Sequence, residues 1–252
     1  MFNQKLFNGL VATLFVLQGC SAPRTQTTEE EKPLSQQMVE AHGLGNFDCN
    51  RKHKDSLQTT GWDYVSGLVA SAVLKAYEAY PQKTEYLDAV RAFADYSTSE
   101  SGDSIFKAPK RISAIGESNL DDLAAGKIYF ALYKDAVLRH DTIAMHRYKQ
   151  ASTMLRNKLK YEHARIAIGL DGEGGFFHKK QYPNQMWLDG LYMGAAYYAQ
   201  WQHEFGTELG EEDNMQSWTD IALQFKILHE HTYDAEKHLC YHAWSATPDD
   251  EN

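Results

Sequence analysis

Apolar residues recur along most of the chain with the spacing of α-helices. The segment from Tyr64 to Tyr80 is apolar or small on nearly every face, which predicts a helix buried almost all round. The next segment, Thr84 to Tyr96, collects its apolar residues on one face and its charges on the others, as an outer amphipathic helix does. No run alternates apolar and polar residues convincingly, so the pattern beyond the tether is helical.

This pair of helices, one greasy and one amphipathic, occurs three times. The second pair covers Leu120 to Tyr133 and Thr142 to Leu159, and the third covers Trp187 to Trp201 and Ser217 to Leu228. The greasy segments start about 57 and 66 residues apart, which is too far for short solenoid repeats of ~34 residues. Three such hairpins predict an all-α fold with two helical layers, either closed into an α/α toroid or open as an α-solenoid.

The start of the chain has the pattern of a secretory leader. Lys5 precedes an apolar run from Leu6 to Gly19, which is shorter than the ~20 residues that span a bilayer. The run ends at Cys20 in a Leu-Gln-Gly-Cys segment that resembles the lipobox of bacterial lipoproteins. The resemblance implies cleavage before Cys20 and lipidation of that cysteine, and Ser21 in place of an Asp favours the outer membrane. A plain signal peptide or a buried N-terminal helix is the alternative.

These features predict a signal peptide over residues 1–19, a flexible tether over residues 20–37 and a partial α/α domain over residues 38–252. The tether is polar and aperiodic, as flexible linkers are. The expected location is the bacterial cell envelope, with the membrane contacted through the lipid anchor. Cys49 and Cys240 would then be the remaining thiols, and they could pair in an oxidising compartment or stay free.

Charge and loop composition disfavour two classes of ligand. The chain has 25 Lys and Arg against 34 Asp and Glu, and a net charge of −9 disfavours a nucleic-acid partner. The loop of residues 169–184 contains Gly172, Gly174 and Gly175, but no strand precedes it and no Gly-Lys-Ser/Thr follows, which disfavours a nucleotide site. The loop of residues 99–118 is also long, as functional or mobile loops often are. No cofactor is expected.

Asp189 is the most suspicious polar residue, because it lies near the start of a helix that otherwise buries apolar surface. A carboxylate there must be paired, hydrogen-bonded or functional. The bland alternative is an acidic residue in a first turn, favoured by the helix dipole. Asp121 and Asp122 are likewise carboxylates near the start of a largely apolar helix, the second inner one. Two carboxyls that face one cavity repel as anions, which raises the pKa of one of them, and a carboxyl kept protonated in this way can act as a general acid. The helix dipole lowers the pKa of a carboxyl in a first turn, so the residues alone leave the balance of these effects open.

The C-terminal part of the chain is rich in histidine. His238 and His242 are four residues apart, but the HExxH arrangement is missing and the segment between them does not resemble a helix. His229 and His231 add two further candidate ligands. A zinc site is the weaker interpretation, and no metal is predicted.

The segment from Gly174 to Met193 resembles the signature of the unsaturated glucuronyl and rhamnogalacturonyl hydrolases, glycoside hydrolase families 88 and 105. Residues 61–68 resemble the first inner helix of these enzymes, and residues 120–127 resemble the motif of their second carboxylate. Tyr241 to Trp244 resembles the segment that supplies a substrate-contacting histidine. The resemblance covers about residues 61 to 244, and the signature of residues 174–193 is highly specific.

The resemblance implies an (α/α)6 barrel that removes a terminal Δ4,5-unsaturated uronic acid from oligosaccharides left by a polysaccharide lyase. Asp189 matches the acid that protonates C4 and activates the water that adds at C5, and Asp121 matches the carboxylate that tunes it. Sugar-contacting positions are matched by Tyr64, Lys179, Trp187, Met193 and His242. Trp187 and Asp189 are two residues apart, ~200° on a helix, so both face one cavity only if Trp187 lies at or before the helix start.

The chain departs from the family in length. It contains about half of the helices of an (α/α)6 barrel, and it lacks the Arg-Gly-Asn-Gly-Trp segment that binds substrate in the family. We therefore expect an incomplete barrel with inner-helix faces exposed to water, which costs ~25 cal/mol per Å2 of apolar surface left uncovered. A truncated product, or one that needs a partner or a second copy, is the expectation. The competing functions are a non-catalytic carbohydrate-binding lipoprotein and an α-solenoid scaffold for other proteins.

Overall fold

The computed structural model describes residues 32–43, 61–107 and 112–247. These residues belong almost entirely to one compact unit, Leu34–Asn252. Cys20, Cys49 and the predicted signal peptide lie outside the described residues. A short helix, α1 (Leu34–Met38), continues into a π-turn at Val39–Gly43. The last residues of the segment predicted as a tether are therefore helical.

Three helical hairpins form the body of the fold, as the apolar pattern predicts. In each hairpin an inner helix is followed by an outer helix that packs on it. The first pair is α2 (Tyr64–Ala79) and α3 (Thr84–Ser97). The second is α4 (Asp121–Ala124) with its continuation α5 (Ile128–Leu138), followed by α6 (Thr142–Asn157). The third is α7 (Leu188–Gly190) with its continuation α8 (Ala196–Phe205), followed by α9 (Glu211–Thr232).

The second and third inner helices are each interrupted by a change of helical pitch. A 3-10 turn at Ala125–Lys127 joins α4 to α5, and a π-turn at Leu191–Ala195 joins α7 to α8. The 3-10 turn packs tightly on α2, because a Cβ at Gly67 would lie 2.4 Å from the Cα of Ala125. Such interruptions of a helix often occur at functional sites.

Three short antiparallel ribbons accompany the helices among the described residues. Strand β1 (Phe106–Lys107) pairs with β2 (Ile112–Ser113), so the predicted loop of residues 99–118 contains a ribbon. Strand β3 (Gln185–Trp187) pairs with β6 (Ala243–Ser245), and β4 (Tyr233–Asp234) pairs with β5 (Leu239–Cys240). Each strand is two or three residues long, which is too short for an alternating pattern to show.

The core contains stacked aromatic residues among its aliphatic ones. Trp62 is fully buried and stacks on Phe93 of α3 and on Tyr129 of α5, with ring centroids 6.0 and 5.5 Å apart. Its indole N–H donates to the carbonyl oxygen of Asp122 at 2.8 Å. These contacts fix the first turn of α4, and with it the carboxylates of that turn.

The first inner helix is not buried all round, contrary to the pattern. Val65 and Leu68 on one stripe of α2 are 51% and 53% exposed, and Tyr192 is 45% exposed. A groove of about 370 Å3 lies between the inner helices beside them. Lys127 lies there with its Nζ 3.0 Å from the centroid of the Tyr192 ring, and burial lowers the pKa of this lysine to about 8. The expectation of exposed inner-helix faces is confirmed.

None of the helices in the described part of the chain is both long and apolar enough to cross a bilayer.

Candidate active site

Antiparallel pairing of β3 with β6 brings the C-terminal segment of the fold to the start of α7. Trp187 pairs with Ala243 in this ribbon, and the backbone N–H of Leu188 donates to the carbonyl oxygen of His242 at 2.6 Å. The strand ends at Trp187, which is extended (φ −113°, ψ 146°), and the helix begins one residue later. Trp187 thus lies just before the helix. This is the position in which the side chains of Trp187 and Asp189 can face one cavity.

Asp189 lies in the first turn of α7, beside the histidine that the ribbon delivers. Its Oδ1 is 3.3 Å from Nε2 of His242. This oxygen is enclosed and accepts no hydrogen bond, although the side chain as a whole is 40% exposed. An enclosed carboxylate oxygen without a hydrogen bond costs free energy, and a catalytic role is one explanation for such a group.

Ring contacts hold Trp187 at the centre of the site. The imidazole of His178 stacks flat on the indole, with centroids 4.3 Å apart and planes 6° apart. Tyr182 also stacks on it at 5.1 Å, and His242 is tilted against it at 5.3 Å. The indole N–H donates to the side-chain oxygen of Gln185 at 3.1 Å. Packing on this scale locks the rotamer of Trp187, so the ring is a rigid wall for a ligand.

Asp121 is tied to the same ring cluster through two basic side chains. Lys179 Nζ lies 2.6 Å from Oδ2 of Asp121, and His178 Nε2 lies 3.4 Å from Oδ1. Burial alone would raise the pKa of Asp121, but the hydrogen bonds from His178 and Lys179 outweigh it and hold that pKa below its usual value. The two predicted catalytic carboxylates thus share one connected cluster, since His178 contacts Asp121 and Trp187, and His242 contacts Trp187 and Asp189.

Asp122, which the sequence groups with Asp121, has a structural role instead. Its side chain is buried, and its Oδ2 accepts a hydrogen bond from the backbone N–H of Gly116 at 2.9 Å. Burial raises the pKa of this carboxyl, against the opposing hydrogen bond from Gly116. The contact ties the preceding loop to α4, so of the two neighbouring carboxylates Asp121 is the one in the ring cluster.

The other predicted sugar contacts divide between the surface and the core. Tyr64 is the first residue of α2, is 44% exposed and interacts electrostatically with Lys179, which places it beside the cluster. Met193 is only 7% exposed and belongs to the main apolar core. Its side chain therefore packs beneath the site and offers little surface to a ligand.

The four C-terminal histidines are dispersed rather than convergent. His229 stacks on Tyr233, and His238 contacts the hydroxyl of the same tyrosine through Nδ1 at 3.1 Å. His231 stacks on Trp244. Among the described residues, no three His, Cys, Asp or Glu side chains are grouped so that they could hold a metal ion. Cys240 forms no disulfide with any of the described residues.

Two further residues of the cluster were missed by sequence reasoning. His178 has a side chain that is 1% exposed, and its Nδ1 is buried without a hydrogen-bond partner. Tyr182 completes the ring stack. Both lie in the quoted signature segment, but a loop has no periodicity that would mark one of its residues as buried. Their place in that segment, between or next to Lys179 and Trp187, is the one signal that the sequence offers.

Comparison of the sequence and the fold with known proteins identifies the family of this chain. Residues 42–252 match the family Glycosyl Hydrolase Family 88. The fold also matches a solved glycoside hydrolase of family 105 from C. acetobutylicum ATCC 824, with a TM-score of 0.61 and 30% sequence identity. That match covers 84% of this chain and 48% of the solved chain, so this chain spans about half the length of that relative. The resemblance inferred from residues 174–193 is confirmed, and with it the expectation of a partial α/α barrel: the chain belongs to Glycosyl Hydrolase Family 88.

Proposed function

We propose that this chain carries the acid site of a hydrolase that removes a terminal Δ4,5-unsaturated uronic acid from lyase-generated oligosaccharides of the pectin, rhamnogalacturonan or ulvan type. The observation that carries the proposal is the enclosed, hydrogen-bond-free Oδ1 of Asp189, 3.3 Å from His242 in a corner walled by Trp187. Membership of the family supports the substrate class.

The reaction is a hydration of an enol ether. Asp189 gives its proton to C4 of the unsaturated ring, and the resulting carboxylate takes a proton from the water whose oxygen bonds to C5. The product is a hemiketal at C5, which collapses to a ketone; the ring opens and the neighbouring sugar leaves as its alcohol. One water is consumed and no electrons are exchanged. Since the glycosidic oxygen is not protonated first, the carboxylate-separation rule of ordinary glycosidases does not apply.

Lys179 and Asp121 supply the polar side of the site. Pairing with Asp121 raises the pKa of Lys179 despite its partial burial, so the lysine stays cationic. An ammonium group in this position suits the carboxylate of a uronic acid, and Asp121 can accept hydrogen bonds from sugar hydroxyls. The indole of Trp187 and the exposed ring of Tyr64 supply apolar surface for the sugar.

The test is the loss of ultraviolet absorbance of the unsaturated uronate. Asp189→Asn should lower turnover by about 100- to 10,000-fold, the usual range for a general acid. Asp171→Asn is the matched control, because Asp171 also lies 3.4 Å from a histidine, His231, but is 74% exposed. Equal turnover by the parent chain and Asp189→Asn would contradict the proposed role of Asp189.

A second candidate is carbohydrate binding without turnover. It is favoured by the exposure of the site, since the His242 side chain is 69% exposed and catalysis of proton transfer benefits from exclusion of water. Binding of the oligosaccharide with no absorbance change in either the parent chain or Asp189→Asn would support this candidate over the first.

We also propose that the chain is anchored to the bacterial cell envelope through a lipid on Cys20. The proposal rests on the Leu-Gln-Gly-Cys segment and the preceding apolar run. Metabolic labelling with a radioactive fatty acid should mark the parent chain and not Cys20→Ala. Equal labelling of both would contradict it.

A further inference from the structure

The last helix, α9, carries a mainly apolar stripe that lies open to solvent. Met215, Trp218 and Phe225 in this stripe are 64%, 41% and 45% exposed. Successive members of the stripe are four and three residues apart in alternation, which is the heptad spacing with which one helix packs along another. The members of this α9 stripe, all of them exposed, are Glu211, Met215, Trp218, Ala222, Phe225 and His229.

The other faces of α9 are either packed or polar. On the packed side, Arg156 of α6 donates to Asp213 at 2.6 Å and to Ser217 at 2.8 Å. At about 100° of rotation per residue, His231 lies on the same side, and there it stacks on Trp244 of the active-site ribbon. The outer face is polar, with the exposed residues Gln216, Thr219, Lys226 and Glu230. The α9 stripe is therefore separate from both the active site and the polar surface of this helix.

We propose that the α9 stripe is a dimer interface, in which α9 lies antiparallel against α9 of a second copy of this chain. The inference goes beyond the proposed function and does not depend on it, because the active-site ribbon contacts the opposite side of α9. A two-fold contact brings the same surface of both copies together, so the stripe must complement itself. It does so both in the size of its side chains and in their charge.

The side chains of the stripe are complementary in size in one antiparallel register. A two-fold axis at the height of Asp220 places residues that lie equally far before and after Asp220 opposite each other. Trp218 then faces Ala222 of the second copy, so the small side chain makes room for the indole. Met215 faces Phe225 of the second copy, a favourable contact of a thioether with a ring. Each contact occurs twice around the axis, and together they remove large apolar side chains from water.

The ends of the stripe are complementary in charge and in hydrogen bonding. In the same register Glu211, in the acidic first turn of α9, faces His229 in the last turn of the second copy. The imidazole has an N–H that can donate to this carboxylate in either protonation state. The antiparallel arrangement also places the positive end of each helix dipole beside the negative end of the other. A contact between glutamate and histidine therefore closes each end of the apolar centre.

Sedimentation velocity of the full chain tests for the dimer. Every protein in the comparison carries Cys20→Ala, so that a lipid cannot drive association. Each copy contributes one helix of 22 residues, which is a small interface, so we expect a dissociation constant on the order of 10 μM. The mass should rise from that of one chain, 28.7 kDa, toward that of two chains as the concentration increases from about 1 to 100 μM.

Two charge reversals test the register. Glu211→Lys places an ammonium group against His229, and His229→Glu places two carboxylates together, so either variant alone should raise the dissociation constant roughly tenfold. An equal mixture of the two variants should recover the parent affinity, because a mixed dimer pairs the new lysine with the new glutamate at one end and Glu211 with His229 at the other. The matched control is Glu230→Lys, which reverses a 55% exposed charge on the polar face of α9 and should leave the affinity unchanged.

A substitution at the centre tests the fit of the indole. Ala222→Trp places a second large ring where Trp218 needs a small neighbour, so it should raise the dissociation constant at least about tenfold. Because Ala222 is exposed in the single copy, the helical circular dichroism of this variant should match that of the parent.

Three results would overturn the proposal. The first is a parent chain that keeps the mass of one copy at about 100 μM, which would refute the dimer and leave the α9 stripe to a different helical partner. The second is equal weakening by Glu211→Lys and Glu230→Lys, which would place the interface elsewhere. The third is a mixture of the two charge variants that stays as weak as either variant alone, which would refute the antiparallel register.

Discussion

Two adjacent lysines provide a sharp test of how the site holds its second carboxylate. Lys179 pairs with Asp121 at 2.6 Å, and the side chains are 24% and 13% exposed. Lys180 pairs with Glu117 at 2.5 Å, but those side chains are 59% and 73% exposed. The two pairs have similar geometry and differ mainly in burial. The substitutions Lys179→Met and Lys180→Met therefore separate the effect of burial from that of charge.

The expected loss of stability in Lys179→Met follows from the competition between the attraction of the two charges and the cost of desolvating them. Two unit charges 2.6 Å apart attract by about 6 kcal/mol at an effective dielectric constant of about 20. Most of this is offset by the cost of removing the charges from water, and His178 still contacts Asp121 after the substitution. We expect Lys179→Met to lower the free energy of unfolding by about 1–3 kcal/mol, between the values for exposed and buried pairs. Lys180→Met should leave it unchanged within experimental error, because solvent screens the exposed pair.

The effect of Lys179→Met must also depend on pH in a defined direction. Burial raises the pKa of Asp121 in the folded state, but hydrogen bonds from His178 and Lys179 outweigh this effect and lower the pKa. Its contribution to stability is therefore present above the unfolded-state value near 4 and is lost as the pH falls through the lower folded value. Urea unfolding followed by tryptophan fluorescence should show the full difference between parent and variant near neutral pH, and a shrinking difference below about pH 4. A difference independent of pH, or an equal loss in Lys180→Met, would refute the reasoning.

Three further substitutions test the frame around the site. Arg156→Met should lower the free energy of unfolding by about 3–5 kcal/mol, because Arg156 is 1% exposed and lies 2.6 Å from Asp213; a loss below about 1 kcal/mol in urea unfolding would contradict a buried pair. Gly67→Val should lower it by about 1–3 kcal/mol or more, since a Cβ would lie 2.4 Å from Ala125, and an unchanged melting temperature would disprove the tight packing. Asp63→Ala should cost about 1 kcal/mol by removing the side-chain cap of α2, and full stability by calorimetry would argue against that cap.

The hairpins could be predicted from the sequence because each helix is long enough for its period to show. The ends of the helices were less predictable. The third outer helix begins at Glu211, six residues before its predicted start at Ser217. The added first turn is Glu-Glu-Asp, whose acidic side chains are stabilised by the positive end of the helix dipole without contributing any apolar period. Similarly, α5 runs to Leu138, beyond the predicted end at Tyr133.

An apolar pattern also cannot tell which face of a greasy helix will be covered. The stripe of α2 that carries Val65 and Leu68 is apolar, as are the stripes that are buried. Whether a face is buried depends on the neighbours that pack against it in the tertiary structure. The sequence of the helix itself is the same whether the face is covered or open. The prediction that α2 is buried all round was therefore wrong, while the prediction that an incomplete barrel leaves inner faces open was confirmed.

The residues of the candidate site differ in how far the sequence alone could identify them. Asp189 could be singled out by physical reasoning, because a carboxylate in a greasy helix is costly. His242 could be assigned only through the resemblance, because the ribbon that positions it is three residues long on each strand. A strand of that length gains its stability from the partner, and the partner here is more than fifty residues away in the chain. Such pairing leaves no local pattern, so the delivery of His242 to Asp189 is a property of the tertiary fold. The site is thus specified twice: by the chemistry of its residues, which the sequence displays, and by a backbone ribbon between Trp187 and Ala243, which it does not.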